Sequence, residues 1–118
     1  VERAQALAQE VGARAIPLKE LADVEADILI NTTTVGMQPR VDESPVPKSV
    51  LRPGMLVFDA VYNPLETRLL YDARKAGCKI LSGLDWFIRQ AAAQFELWTG
   101  KPAPVQVMEK VARERLGG

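Results

Sequence analysis

The chain has 118 residues, enough for one modest domain. Lys plus Arg and Asp plus Glu both number 15, so the formal net charge is zero, which argues against a general nucleic-acid or anionic-membrane surface. There is no histidine, which removes Ser-His-Asp and Cys-His catalysis and most zinc sites. No apolar run is long enough to span a bilayer, and no signal-peptide pattern is present. Cys78 is the single cysteine, which rules out an intrachain disulfide and fits a reducing, cytoplasmic setting. With no histidine to activate it, this thiol reads as structural.

In chain order, Val1, Ala4, Leu7, Ala8 and Val11 recur at helical spacing, and Gly12 is a natural stop. The chain opens on Val1 rather than Met and inside a helix, so a processed chain or a fragment is expected. Arg14–Leu18 reads as extended, and Lys19–Ala22 as one helical turn. Asp27–Asn31 predicts a strand without polar alternation, as if both of its faces were covered. Gln38–Pro53 holds several prolines and reads as loop, with a short helical turn at Lys48–Leu51. Met55–Ala60 predicts a second buried strand.

A helix follows, and two starts are open for it. Thr67 can serve as the N-cap, or Asn63 with Pro64 and Glu66 can. Its inner side is Leu69, Leu70, Ala73 and Ala76, and Gly77 ends it. Lys79–Leu81 is a short strand broken by Gly83. Leu84–Thr99 is an amphipathic helix with Leu84, Phe87, Ile88, Ala91, Phe95 and Trp98 near helical spacing, Phe95 and Trp98 being read as core. Gly100–Pro102 breaks it, Val105–Leu116 is a last helix, and Gly117–Gly118 a frayed end. Strands alternating with helices predict an α/β fold with a parallel sheet in a single unit over 1–118.

The most informative segment is Asn31-Thr32-Thr33-Thr34-Val35-Gly36-Met37, directly after the apolar run Ile28-Leu29-Ile30. A buried strand that empties into a small, hydroxyl-rich loop is how open α/β sheets present a ligand site at strand C-termini. The loop offers hydroxyls, an amide and a flexible glycine, but no charge. That suits a polar, near-neutral part of a ligand such as a ribose or a carboxamide.

Two further segments stand in register with it: Asp59-Ala60-Val61-Tyr62-Asn63-Pro64-Leu65-Glu66-Thr67-Arg68-Leu69-Leu70 and Gly83-Leu84-Asp85-Trp86-Phe87-Ile88-Arg89-Gln90-Ala91. Together the three resemble the C-terminal, NADP-binding half of the shikimate dehydrogenase family over essentially the whole chain. The resemblance implies an incomplete Rossmann-like nucleotide-binding domain followed by C-terminal helices. It implies NADPH-dependent reduction of 3-dehydroshikimate to shikimate, a step of aromatic amino-acid biosynthesis. The family's catalytic Lys and Asp lie in an N-terminal substrate domain, and its Gly-rich phosphate loop also lies upstream, so the chain alone is expected to be inactive. Trp86 stands where the family commonly has Met. The Phe-Ile-Arg-Gln run and Gly36-Met37-Gln38-Pro39 look more like the version fused to a dehydroquinate dehydratase.

Residue by residue, the resemblance implies that Thr32, Thr33 and Gly36, with Asn31 before them, line the nicotinamide–ribose pocket. Ala60 and Gly83 would offer backbone close to the nicotinamide. Ala60 replaces a larger apolar residue often found there. Arg3 would belong to the trailing part of the segment that meets the adenosine 2′-phosphate, where a guanidinium suits multidentate recognition. Tyr62 and Gln90 match substrate-binding positions, a phenol and an amide that can hydrogen-bond hydroxyls or a carboxylate. Asp59 reads as a group that orients the following turn. Without the preceding strands, one sheet edge should lie bare, which predicts weak cofactor affinity and self-association or partial disorder. The rival readings are a quinate/shikimate dehydrogenase of the same family and a noncatalytic regulatory or binding domain built on the fold. The expected partner is a small-molecule substrate, with neither nucleic acid nor membrane.

Overall fold

The computed structural model describes residues 2–117. The helical start expected at Val1 and the fraying of Gly118 lie outside the described residues. In order, the chain forms α1 (Glu2–Val11), a 3₁₀ turn (Leu18–Asp23), β1 (Ile28–Asn31), a second 3₁₀ turn (Lys48–Val50) and β2 (Leu56–Asp59). It continues with α2 (Arg68–Lys75), β3 (Lys79–Leu81), α3 (Gly83–Thr99) and α4 (Val105–Gly117). The three strands make one parallel sheet in the order β1-β2-β3, with Leu29 beside Val57 and Val57 beside Ile80. Helix α4 runs to Gly117, one residue beyond the expected end.

Parallel register places Leu29, Val57 and Asn31 with Asp59 on one face. Against that face α2 lays Leu69, Leu70 and Ala73, all essentially inaccessible. Val46, Val50, Leu51 and Met55 close the same core, so the proline-rich segment is a lid on it rather than a loose loop. Thr67 caps α2, its hydroxyl accepting from the Leu70 amide at 3.3 Å. The rival start at Asn63 is not used.

The opposite face corrects the expectation that β1 is covered on both sides. Ile28 and Ile30 are 54% and 57% exposed, and Leu81 is exposed on the same face across β2. Among the described residues, Phe58 on the central strand meets an aromatic cover, the Trp86 ring at 6.5 Å. The apolar run reads as doubly buried because it lacks polar alternation, yet among the described residues one helix covers one face.

Ser82, not Gly83, is the N-cap of α3. Its hydroxyl accepts from the Asp85 amide at 3.2 Å and donates to the Asp85 carboxylate at 2.7 Å. A short polar side chain three residues ahead of an acid is a capping pattern, and it moves the helix start one residue earlier than expected. Leu84 and Ile88 are buried, but Trp98 is 77% exposed, which corrects its reading as core. Helix α4 folds back over the stretch from Asp85 to Glu96, with the Ala103 amide bonding the Glu96 carboxylate at 3.0 Å and Arg113 3.9 Å from Asp85. Trp98 lies on the last turn, past that cover.

Cys78 follows Gly77, and its thiol donates to the Arg52 carbonyl at 3.2 Å. Burial pushes the thiol above its ordinary value of 9.0, only partly offset by that bond. A raised pKa means the folded state favours the neutral thiol. Its stabilisation is therefore complete below pH 9 and is lost as pH rises through the folded value. Alkylation at neutral pH should accordingly run slower in the native chain than in the same chain in denaturant. A native rate equal to the denatured one would contradict a structural thiol.

Candidate functional site

The exits of β1 and β2 are joined by a buried polar knot. Asp59 is inaccessible and ends β2. Its Oδ1 accepts from Asn31 Nδ2 at 3.0 Å and from the Val61 amide at 3.0 Å, while Oδ2 accepts from the Thr67 hydroxyl at 2.6 Å. Asn31 ends β1 and is 4% exposed. Its second amide hydrogen reaches the Val35 carbonyl at 3.3 Å, and its Oδ1 accepts from both the amide and the hydroxyl of Thr33, at 3.0 and 2.7 Å. Among the described residues no buried side-chain polar atom is left without a partner, as a low-dielectric network requires to be stable.

This knot shapes the Asn31–Met37 loop. Thr33 accepts from the Val35 amide at 3.2 Å, and the chain turns at Gly36 with φ +91°. That conformation suits glycine, and a Cβ there would also stand 3.1 Å from the Glu43 carbonyl. Thr32 and Thr33 are left on the outside. With Leu29, Asn31, Pro45 and Leu69 they line a cavity of about 140 Å³ at the end of β1.

The third element enters from the other side. A Cβ on Gly83 would lie 2.6 Å from the carbonyl oxygens of both Ala60 and Val61, so α3 starts in backbone contact with the β2 exit. One turn further on, Phe87 stacks on the Tyr62 ring, centroids 4.8 Å apart and planes 25° from parallel. Gln90 follows Gly83 by seven residues, about two helical turns and roughly 10 Å, so it returns to within ~20° of the same face. Gln90 is exposed there. The Ala60 amide bonds the Asn31 carbonyl at 2.9 Å, and the Gln38 amide bonds the Asn63 carbonyl at 3.2 Å. The β1 and β2 loops and the start of α3 thus form one continuous lip at the carboxyl ends of the strands.

The structure places Thr32, Thr33 and Gly36 on the loop after β1, and Ala60 and Tyr62 on the segment after β2 with Gly83 packed against it, both at the carboxyl end of the sheet, with Gln90 exposed on α3. Two expected cofactor residues stand differently. The Asn31 side chain has both amide hydrogens and its oxygen engaged within the protein, so it positions the loop and has little left to offer a ligand. Arg3 is exposed on α1, and no hydrogen bond joins it to the lip among the described residues. Asp59 orients the turn after β2, as read from the sequence, and also holds β1 and α2. Phe87 is the residue sequence reasoning missed, because its helical spacing assigned it to the core stripe. The signal was its spacing of four residues after Gly83, which puts it on the face toward the β2 exit.

The lip carries neutral groups, a phenol, hydroxyls, an amide and backbone. Charge is concentrated elsewhere. Arg68 of α2 and Lys48 of the second 3₁₀ turn pair with the buried Asp72 of α2 at 3.0 and 3.4 Å, and the hydrogen bond that Arg68 donates to Asp72 raises the Arg68 pKa. A larger cleft of about 370 Å³ lies between α3 and α4. Its carboxylates are already engaged, Glu109 with Arg113 and Glu96 with the Ala103 amide. Among the described residues there is no cluster of acids and Cys able to hold a metal ion, and no helix is long and apolar enough to cross a membrane.

A parallel sheet with helices, whose ligand-facing loops gather at the carboxyl ends of its strands, is the architecture of a Rossmann-like nucleotide-binding unit. Residues 83–113 match the family model for the Shikimate 5'-dehydrogenase C-terminal domain. Shikimate dehydrogenase (NADP(+)) of Moorella thermoacetica is 55% identical over 97 residues, covering 81% of this chain and 33% of that protein. The chloroplastic bifunctional 3-dehydroquinate dehydratase/shikimate dehydrogenase of Arabidopsis thaliana is 46% identical over 90% of this chain and 18% of its own. The crystal structure of Thermus thermophilus shikimate 5-dehydrogenase with NADP(H) and shikimate superposes with a TM-score of 0.85 at 39% identity, over 96% of this chain and 42% of that one. The chain belongs to the shikimate dehydrogenase family and corresponds to the C-terminal part of its members. It spans less than half the length of these relatives.

Proposed function

We propose that this chain forms the nicotinamide side of an NADP-dependent shikimate dehydrogenase that reduces 3-dehydroshikimate to shikimate. The observation that carries the reading is the Asn31–Asp59–Thr67 knot, which fuses the β1 and β2 exits into one neutral, hydroxyl-lined lip. A lip of this donor set fits an uncharged nicotinamide riboside beside a polyhydroxy acid. When bound, NADPH supplies the hydride for the ketone carbon. The chain's own residues bind and orient. Thr32, Thr33 and the Gly36 turn receive the riboside, and the backbone at Ala60 and Gly83 closes over it. Tyr62, held by its stack on Phe87, offers its hydroxyl to the substrate, and Gln90 offers an amide that both donates and accepts. Arg3 meets the adenosine 2′-phosphate, a role that rests on its exposed guanidinium and on the resemblance.

The test is NADPH oxidation with 3-dehydroshikimate by the protein carrying this chain. Turnover that prefers NADPH over NADH and shikimate over quinate as the reverse substrate supports the reading. Preference for NAD and quinate would move it to the quinate-using branch. Ligand binding with no oxidation would favour a noncatalytic domain. Within the site, Tyr62→Phe and Gln90→Ala should each lower kcat/KM for shikimate about tenfold, the cost of one hydrogen bond to a charged or hydroxylated ligand. NADP⁺ affinity should change less than about twofold, since neither group is assigned to the cofactor. Equal losses in the two affinities would defeat the assignment.

A further inference from the structure

We propose that Thr67 is a positioning residue for the substrate side of the site, acting on Tyr62 through Asp59. The inference rests on the assignment of Tyr62 to substrate given above. Asp59 reaches its partners through a soft torsion, because the carboxyl group of an aspartate rotates in broad, two-fold wells. The Thr67 hydroxyl, 2.6 Å from Oδ2, holds one side of that torsion, and the two donors on Oδ1 hold the other. Thr67 is held in turn as the N-cap of α2, accepting from the Leu70 amide at 3.3 Å, and it is wholly inaccessible. With Oδ2 pinned, Oδ1 stands where it accepts from both the Val61 amide and Asn31 Nδ2. The Val61 bond sets the backbone turn that delivers the next residue, Tyr62, to its stack on Phe87.

Without the Thr67 hydroxyl, Oδ2 is left unpaired in a buried site and the carboxyl group is held through Oδ1 alone, so the anchor of the Val61 turn is loosened. Thr67 lies beside the Gly36 turn, where an added Cβ would stand 3.8 Å from its own, and it is linked to Tyr62 through Asp59 and the Val61 amide. Thr67 thus carries two duties, helix capping and aim of the phenol. Only the second depends on Tyr62.

A double-mutant cycle in the protein carrying this chain separates them, with kcat/KM for shikimate as the readout. Thr67→Val should lower it about tenfold, and Thr67→Ser, which keeps the hydroxyl, should restore it to within about twofold. In the Thr67→Val background, Tyr62→Phe should cost less than about threefold rather than its full effect, because the phenol is already misplaced. Asp59→Asn, which preserves volume but puts an amide nitrogen opposite Thr67, goes through the same cycle, so a Thr67→Val chain too unstable to assay does not remove the test. Additive losses in the cycle, with Tyr62→Phe costing the same in both backgrounds, would overturn the positioning role while leaving the site assignment standing. A full-length protein without any shikimate-dependent turnover would overturn the site assignment, and this inference with it.

Discussion

Replacing Asp59 with alanine is expected to lower unfolding stability by about 3 kcal/mol or more, since each buried donor left unpaired costs roughly 1–3 kcal/mol. Three donors depend on this one carboxylate: Asn31 Nδ2, the Val61 amide and the Thr67 hydroxyl. All three belong to residues that are buried, so water does not readily replace the lost partner. Asp59→Asn should be milder, about 1–2 kcal/mol, because one oxygen can still accept the two bonds of Oδ1 while the amide nitrogen faces a hydroxyl able to accept. The order of the two variants matters as much as the sizes. Chemical denaturation of the native protein and both variants reads it directly. An alanine variant within about 0.5 kcal/mol of the native protein, the range of an ordinary surface change, would contradict the knot as the junction of β1, β2 and α2.

Gly83→Ala is expected to be the most damaging single methyl in the chain. Its Cβ would fall 2.6 Å from two carbonyl oxygens and 2.8 Å from the Ala60 carbonyl carbon. Both sides of the clash are backbone, so no side-chain rotation relieves it. The start of α3 must move off the β2 exit, at a cost of about 1–3 kcal/mol in strain. The functional loss should be larger than the structural one. A shift of about 1 Å between α3 and the lip separates Tyr62 from the face that carries Phe87 and Gln90, and displacements of that size cost on the order of 100-fold in rate. Expected, then, is a folded protein with modestly lowered stability and kcat/KM reduced about 100-fold. A variant with native activity would show that α3 does not depend on this contact.

What is legible in the sequence follows from the range of the interactions. The stop at Gly77 and the three parallel strands are written in neighbours a few residues apart and read correctly, while the same local pattern leaves two starts open for α2, of which the structure uses Thr67. The Asn31–Asp59 bond joins residues 28 apart in sequence, so no local pattern announces it. An amide directly after a strand suits a ligand contact, which is how Asn31 reads. In three dimensions its amide and oxygen are absorbed by Asp59, Thr33 and Val35. Helical spacing places Phe87 and Trp98 on one apolar stripe. Contact with the Tyr62 ring takes Phe87 out of it, and the limited reach of α4 leaves Trp98 exposed. An apolar strand says that it tolerates burial, and the exposed Ile28 and Ile30 show that it does not say how many faces are covered.

The decisive experiment is the structure of the protein carrying this chain with NADP⁺ and shikimate bound. The nicotinamide riboside is expected against Thr32, Thr33, Gly36 and the backbone of Ala60 and Gly83. The shikimate oxygens are expected within hydrogen-bond reach of the Tyr62 hydroxyl and the Gln90 amide. Either ligand seated away from the carboxyl ends of β1 and β2, or a shikimate that touches neither Tyr62 nor Gln90, would refute the assignment of this lip as the site.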